Sequence, residues 1–284
     1  MNLLTSIFES LVPLSSDGFN YHFIVFAPHG ILFEYIGFAQ FCIAVRCSMC
    51  AYTYGILIVH FIYRYFAICK PQYTIAFFKP RFLTLVIFFT FSYGTMWMGI
   101  IYQWLWPTDS SRSIVDQGFK DTYNESSYNI PMILANYEWP IENWKTNGLV
   151  GMGLITLNSV VALAIDSVLA WKIHSALNIV TLSNVIKKLH RNLLITLIAQ
   201  TFVPIAATFI PSLIAWYYPF FGLKWGYFNN SFLIPFISFY PAIDPIVITF
   251  ALTDYRNVIL SFLVDRCESE QTRTRLRSTF HIEC

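Results

Sequence analysis

Four charged side chains lie inside apolar runs long enough to cross a bilayer: Arg46, Arg64, Asp166 and Asp244. A charge in hydrocarbon is costly, so each needs an exit to the interface, a partner, or a place in a polar cavity. Arg64 stands between Tyr63 and Tyr65, close to His60, at the end of its run. There it either snorkels to phosphate or forms a polar lock facing the space between helices. Arg46 precedes it by 18 positions, about 27 Å along a straight helix. It therefore sits near the other end of the same run, as a counter-ion in a ligand pocket or as a second snorkelling contact. Asp166 fits a helix–helix or boundary contact. Asp244, followed by Pro245, lies deep in the last run and must face the interior and find a partner. His and Cys do not fall at metal-ligand spacings, and there is no Gly-rich phosphate loop or nucleophile elbow. No cofactor, metal or enzymatic activity is expected.

The elements that position these groups are helices. Hydrophobic residues make up 56% of the 284 residues and charged residues 12%, a balance that leaves too little polar surface for a soluble protein. Continuous apolar runs at about 36–68, 82–106, 147–171, 192–219 and 229–252 each reach the roughly 20 residues that span a bilayer. A barrel would show short alternating strands instead. The expected fold is an all-α polytopic membrane bundle over residues 1–265, with a polar, disordered tail at 266–284.

Loop charge orients the bundle. Residues 64–81 carry Arg64, Lys70, Lys79 and Arg81 without an acid, and 172–191 carry Lys172, Lys187, Lys188 and Arg191 without one. The 107–147 loop has six acids against three basic residues. By the positive-inside rule the first two loops are cytoplasmic and the third extracellular, which puts the C-terminus inside. Asn124-Glu125-Ser126 is a glycosylation sequon on the outer side; Asn229-Asn230-Ser231 lies too close to the membrane to serve. Residues 1–14 are apolar but too short to span, and read as the outer end of a helix. Residues 15–35 read as an outer loop.

Pro204 and Pro211 in the fourth run, and Pro241 and Pro245 in the fifth, each remove a backbone donor and predict kinked helices. Residues 255–265 repeat apolar side chains at helical spacing and predict a short amphipathic helix on the inner leaflet, with Arg256 at its start. The six cysteines form no disulfide framework; Cys267, near the membrane, is a free thiol or a palmitoylation site.

The stretch His60-Phe61-Ile62-Tyr63-Arg64-Tyr65 through Lys70-Pro71 resembles the nematode Str-type serpentine chemoreceptors, of the G-protein-coupled receptor superfamily. Its Tyr-Arg-Tyr stands where rhodopsin-like receptors have Asp-Arg-Tyr. His190 to Pro211 resembles that family's sixth helix, and Phe239 to Pro245, ending at Asp254-Tyr255-Arg256, its seventh. The resemblance makes the five runs helices three to seven of a seven-helix receptor, with helix one and most of helix two missing. It implies that Tyr63, Arg64 and Tyr65, with Lys187, Lys188, Arg191 and Arg256, face a heterotrimeric G protein. It also places Asp244-Pro245 where such receptors carry an Asn/Asp-Pro motif that couples a kink to a buried polar group; the two kinked helices, with Pro204, Pro211, Pro241 and Pro245, read as a moving part.

The function implied is chemosensory reception of small, odorant-like external molecules at the plasma membrane of sensory neurons or their cilia. The partners are the ligand, the G protein and the bilayer, with no nucleic acid. Two alternatives stand beside it: a small-solute transporter or channel with Arg46, Asp166 and Asp244 as its polar path, or a non-functional truncated receptor.

Overall fold

The computed structural model describes residues 2–19, 21–28, 35–137, 147–179, 183–251 and 261. Helix α1 (Asn2–Leu11) leads into strands β1 (Ser15–Phe19) and β2 (His22–Phe26), then the long helix α2 (Ile36–Cys69). A short turn and α3 (Thr74–Phe77) connect α2 to α4 (Pro80–Ile100), which continues as a π-helical turn to Leu105. Next come α5 (Asp109–Tyr123), β3 (Met132–Asn136), α6 (Gly148–Ile179) and α7 (Asn184–Pro204). A second π turn (Ile205–Phe209), α8 (Ile210–Tyr217) and a 3-10 turn (Tyr218–Phe221) complete that stretch. The last stretch runs through α9 (Gly226–Phe228), a third π turn (Asn229–Leu233), α10 (Ile234–Ser238) and α11 (Tyr240–Ala251).

Among the described residues four stretches are long and apolar enough to cross a membrane: Ile36–Cys69, Pro80–Leu105, Gly148–Ile179 and Asn184–Phe221. Helix α2 is the axis of the bundle and packs against α1, α4, α6 and α7. Of its apolar window 61% is buried, against 22% for the stretch beginning at Pro80. The latter therefore stands at the periphery, presenting Leu85, Phe88 and Phe91 outward, where an apolar side chain costs nothing in lipid. The α2–α4 contact is close because Gly94 lacks a side chain: a Cβ there would lie 2.2 Å from the Tyr52 ring.

Two boundaries differ from the sequence reading. The basic 172–191 stretch is mostly helix, because α6 runs on to Ile179 and α7 begins at Asn184, with Ser183 accepting from the Ile186 N–H as its N-cap. Backbone hydrogen bonding continues where the apolar run stops, since helix formation asks for no apolar face once outside lipid. The fifth run is helical but interrupted at Phe239. Pro241 has no N–H to give the Ile237 carbonyl, so the chain restarts with Ala242 and Ile243 both donating to the Phe239 carbonyl.

Prolines also account for two of the π turns. Ile210 donates to the Ile205 carbonyl just before Pro211, and Ile234 to the Asn229 carbonyl just before Pro235. The widened turn makes room for a ring that would otherwise strike the carbonyl four residues back.

The segments expected to be outer loops fold into a cap. Strands β1, β2 and β3 form one antiparallel sheet, with Ser15 paired to Phe26 and Phe26 to Met132. Alternate β2 and β3 side chains serve two cores. Phe23, Val25, Ile133 and Ala135 join the bundle core, while Ile24, Phe26, Met132 and Leu134 pack with Val115 and Phe119 of α5. The sheet is thus sandwiched between the bundle and α5. Helix α5 starts with a capping box between Thr108 and Ser111 and ends at Asn124, in the left-handed conformation with φ 57°. Gly148 lets α6 abut the sheet, since a Cβ there would lie 2.5 Å from the Ala135 backbone.

Candidate functional site

Beneath the cap, between the helices, lies a cavity of about 130 Å³. Its walls are mostly apolar: Phe23, Val25 and Ile133 from the sheet, Met49 from α2, Trp97 and Ile101 from the α4 stretch, and Met152 and Ile155 from α6. Trp216 of α8 and Tyr240 of α11 close the other side. Two ties hold this wall. Trp97 donates to the Asn158 side chain at 2.9 Å, and Tyr137 donates to the Trp216 carbonyl at 2.6 Å.

Arg46 brings the charge to this cavity. It is buried, donates to the Val12 carbonyl and, at 3.2 Å, to Ser238 Oγ of α10. Its ion pair with Glu9 of α1 is long, at 3.8 Å. Arg46 therefore links α1, α2 and α10 around one pocket. Cys47 and Cys50, one helical turn apart, line the same cavity as free thiols. Glu9 is hidden in the sequence because residues 1–14 read as an apolar helix end. Its single acid in an apolar segment was the available signal.

The cap is fastened to the bundle by polar contacts around Asp17. Its carboxylate accepts from Tyr123 of α5 at 2.8 Å, from Tyr218 at 3.3 Å and from the Gly18 N–H at 2.7 Å. Burial, followed by the Asp17 charge, pushes the Tyr123 hydroxyl well above its ordinary value, so it stays protonated and donates. Asn229 donates to Ser16 Oγ at 2.5 Å, and Asn230 accepts from the Ser16 N–H at 2.8 Å. Asn229 is fully buried, so its sequon cannot be reached, whereas Asn124 is exposed at the end of α5. Farther along the cap, buried Arg112 donates to the Ser127 and Ile130 carbonyls and, at 3.0 Å, to Gln40 of α2.

At the opposite end of the bundle, Arg64 lies 5.9 Å over the Tyr63 ring, and Tyr63 packs edge-on against Phe77 of α3. Lys172 lies 6.0 Å over the Tyr65 ring. Lys187, Lys188 and Arg191 of α7 surround a second, open hollow with His174 and Asn178 of α6. Among the described residues no carboxylate pairs with Arg64, Lys187, Lys188 or Arg191. Among the described residues this end is a positive face without a resident counter-ion.

The remaining predicted residues take different places. Pro204 and Pro211 flank the π turn of Ile205–Phe209. Pro241 and Asp244 are in α11, where Asp244 is buried one turn after Tyr240 and one residue before Pro245. Asp166 is buried in α6, and neither carboxylate oxygen has a hydrogen-bond partner among the described residues. Neither Asp166 nor Asp244 lines the cavity that holds Arg46. Arg256, the 255–265 helix, Cys267 and the 266–284 tail lie outside the described residues.

The family model described as "Serpentine type 7TM GPCR chemoreceptor Srj" matches residues 1–259. The chain belongs to this serpentine chemoreceptor family. It is therefore a multi-pass membrane protein of receptor type, built on the seven-helix plan. Among curated relatives, the Caenorhabditis elegans protein named serpentine receptor class J-38 is 29% identical over 284 residues, covering 98% of this chain and 84% of that relative. Serpentine receptor class r-10 of Caenorhabditis elegans is 26% identical over 83% of this chain and 70% of its own length. G-protein coupled receptor str-33, from the same organism, is 24% identical over 90% of this chain and 76% of its own length. No solved structure matches.

Proposed function

We propose that this receptor detects small external molecules in the cavity beneath the cap and signals to a heterotrimeric G protein from the opposite end. The observation that carries the reading is the pairing of two unlike ends along one helix. Arg46 of α2 lies in an apolar, molecule-sized cavity, and Arg64 of the same helix lies on a basic face that has no acid paired to it among the described residues. Cavities of this kind, with few polar groups, suit small ligands. A basic face suits an acidic protein surface.

In this reading the cap end is extracellular and the Arg64 end cytoplasmic, as the loop charges indicate. Asn124, exposed on α5, is the glycosylated residue. Ligand occupancy shifts α8, α10 and α11 about the turns at Pro211, Pro235 and Pro241, and this rearranges the basic face. Sensory neurons and their cilia are the proposed site of action.

The test is ligand-dependent nucleotide exchange by a G protein on the receptor in lipid nanodiscs. Arg64→Ala is expected to abolish exchange while leaving ligand binding within about twofold. Exchange that persists undiminished in Arg64→Ala overturns the role given to Tyr63, Arg64 and Tyr65.

A further inference from the structure

Arg46 is unusually placed for a residue whose only task is to hold the fold. Its guanidinium is buried, yet a guanidinium has more N–H donors than the contacts with Val12 and Ser238 use. Its carboxylate neighbour stands too far off to satisfy them. At 3.8 Å the Glu9 oxygen lies beyond the range of a charge-assisted hydrogen bond, which closes to roughly 2.7–2.9 Å. A buried cation with unused donors facing a cavity is a binding group awaiting an acceptor.

The two members of the pair are not held alike. Arg46 is anchored by Val12 and Ser238, whereas the long contact to Arg46 is the one polar interaction of Glu9 among the described residues. An amine entering to pair with Glu9 would set a second positive charge beside a guanidinium that cannot withdraw. A carboxylate entering to pair with Arg46 needs only to displace a weakly held side chain, itself 17% exposed. The geometry therefore favours an anion. The carboxylate of such a ligand also matches the planar fork of arginine with two parallel hydrogen bonds, which a neutral acceptor cannot do.

Size sets the rest of the molecule. The cavity of about 130 Å³ is close to the roughly 150 Å³ apolar cavity that accepts benzene in a protein core. Its walls of Phe, Trp, Met and Ile ask for an apolar body.

We infer that the ligand is a small organic acid, with an apolar body about the size of a benzene ring and a carboxylate that takes Arg46 from Glu9. This rests on the receptor reading above and names the chemistry of its ligand. The exchange of partners has a mechanical consequence. It releases Glu9 of α1 from Arg46, while the Val12 carbonyl stays bound, and changes the environment of Ser238, the residue before the break at Phe239.

The experiment titrates matched probes, hexanoate against hexanamide and benzoate against benzamide, into the full chain in nanodiscs, with binding read by saturation-transfer NMR. The acids are expected to bind about tenfold more tightly than their amides, the difference between charge-assisted and neutral hydrogen bonds. Glu9→Gln removes the competitor and should tighten acid binding several-fold, leaving the amides unchanged. Arg46→Gln should bring the acids down to the level of the amides, with retained amide binding showing that the cavity is intact. Equal affinity of acid and amide, or weaker acid binding in Glu9→Gln, overturns the inference. Nucleotide exchange measured on the same samples separates the two readings. Acid-selective binding without exchange overturns the signalling role and supports the ligand chemistry. Exchange driven equally by acid and amide does the reverse.

Discussion

Removing one hydroxyl should loosen the cap. Tyr123→Phe deletes the 2.8 Å bond to Asp17 and the 3.3 Å bond that Tyr123 accepts from Asn230. The first is charge-assisted and contributes about 1.5–3 kcal/mol; the second is long and neutral, near the lower end of about 0.5–1.5 kcal/mol. The ring keeps its edge-on contacts with Phe19 and Phe26, so packing changes little. A loss of about 2–3 kcal/mol is expected, and for a chain of this size each kcal/mol moves the unfolding midpoint by roughly 2–4 °C. Asp17→Asn tests the other partner, since the amide offers the Tyr123 and Tyr218 hydroxyls a weaker acceptor. The two losses share one bond, so the double variant should fall short of their sum by about 1–2 kcal/mol. The assay is thermal unfolding in detergent, followed by a dye that reacts with Cys42, Cys47 and Cys50 as the bundle opens. Hydrogen exchange over residues 15–26 reports the cap separately. Additive losses, or an unchanged midpoint in Tyr123→Phe, would refute the claim that the Asp17–Tyr123 bond holds β1 to α5.

Three further outcomes follow from the same structure. Gly94→Ala should destabilise the bundle by about 1–3 kcal/mol, because its Cβ would overlap the Tyr52 ring; Tyr52→Ala in the same chain should recover part of that loss, and an absence of rescue in the unfolding midpoint would reject the contact. Asp116 is held well below the usual carboxylate range, first by the 2.6 Å contact with Lys120 and then by Ser126 and Ser127. Its folded value lies below its unfolded one, so its stabilisation is complete at neutral pH and is lost as pH falls below about 3.9. Asp116→Asn should therefore lower cap protection at pH 7 and remove that acid-dependent loss, both read by hydrogen exchange across residues 112–130. Arg112→Met leaves the Gln40 side chain and two backbone carbonyls without their donor, and a loss of about 2–4 kcal/mol is expected; a midpoint within a degree of the parent would contradict it.

The bundle was legible in the sequence because lipid imposes length and apolarity on every span, and both can be counted. The cap was not, and the reason is physical. A half-exposed strand alternates apolar and polar residues, but His22-Phe23-Ile24-Val25-Phe26 is buried on both faces, between the bundle and α5. Such a strand reads as a short apolar run and is indistinguishable from a helix end or a loop beside the membrane. The acids of 107–147 marked that segment as polar, yet Val115, Phe119 and Tyr123 recur at helical spacing and, with the Thr108 cap, already describe an amphipathic helix. Arg46 was visible as a charge out of place. Its partners were not, since Val12, Ser238 and Glu9 come from segments far away in the chain.

The prolines show how a local rule acquires a global role. Each removes a donor, and from sequence this predicts a kink at an unknown cost. The structure places a widened turn immediately before Pro211 and another immediately before Pro235, with a break just before Pro241. These three irregularities fall on the two stretches that supply Thr208, Ser212, Ile234, Ile237 and Tyr240 to the cavity wall. The walls built from α2 and α6 are continuous helices. The α2 and α6 walls of the cavity are therefore stiff, and the wall built from α8, α10 and α11 is jointed. An occupant that pulls on Arg46 acts across that division, because Arg46 lies on the stiff side and Ser238, its hydrogen-bond partner, stands at the joint.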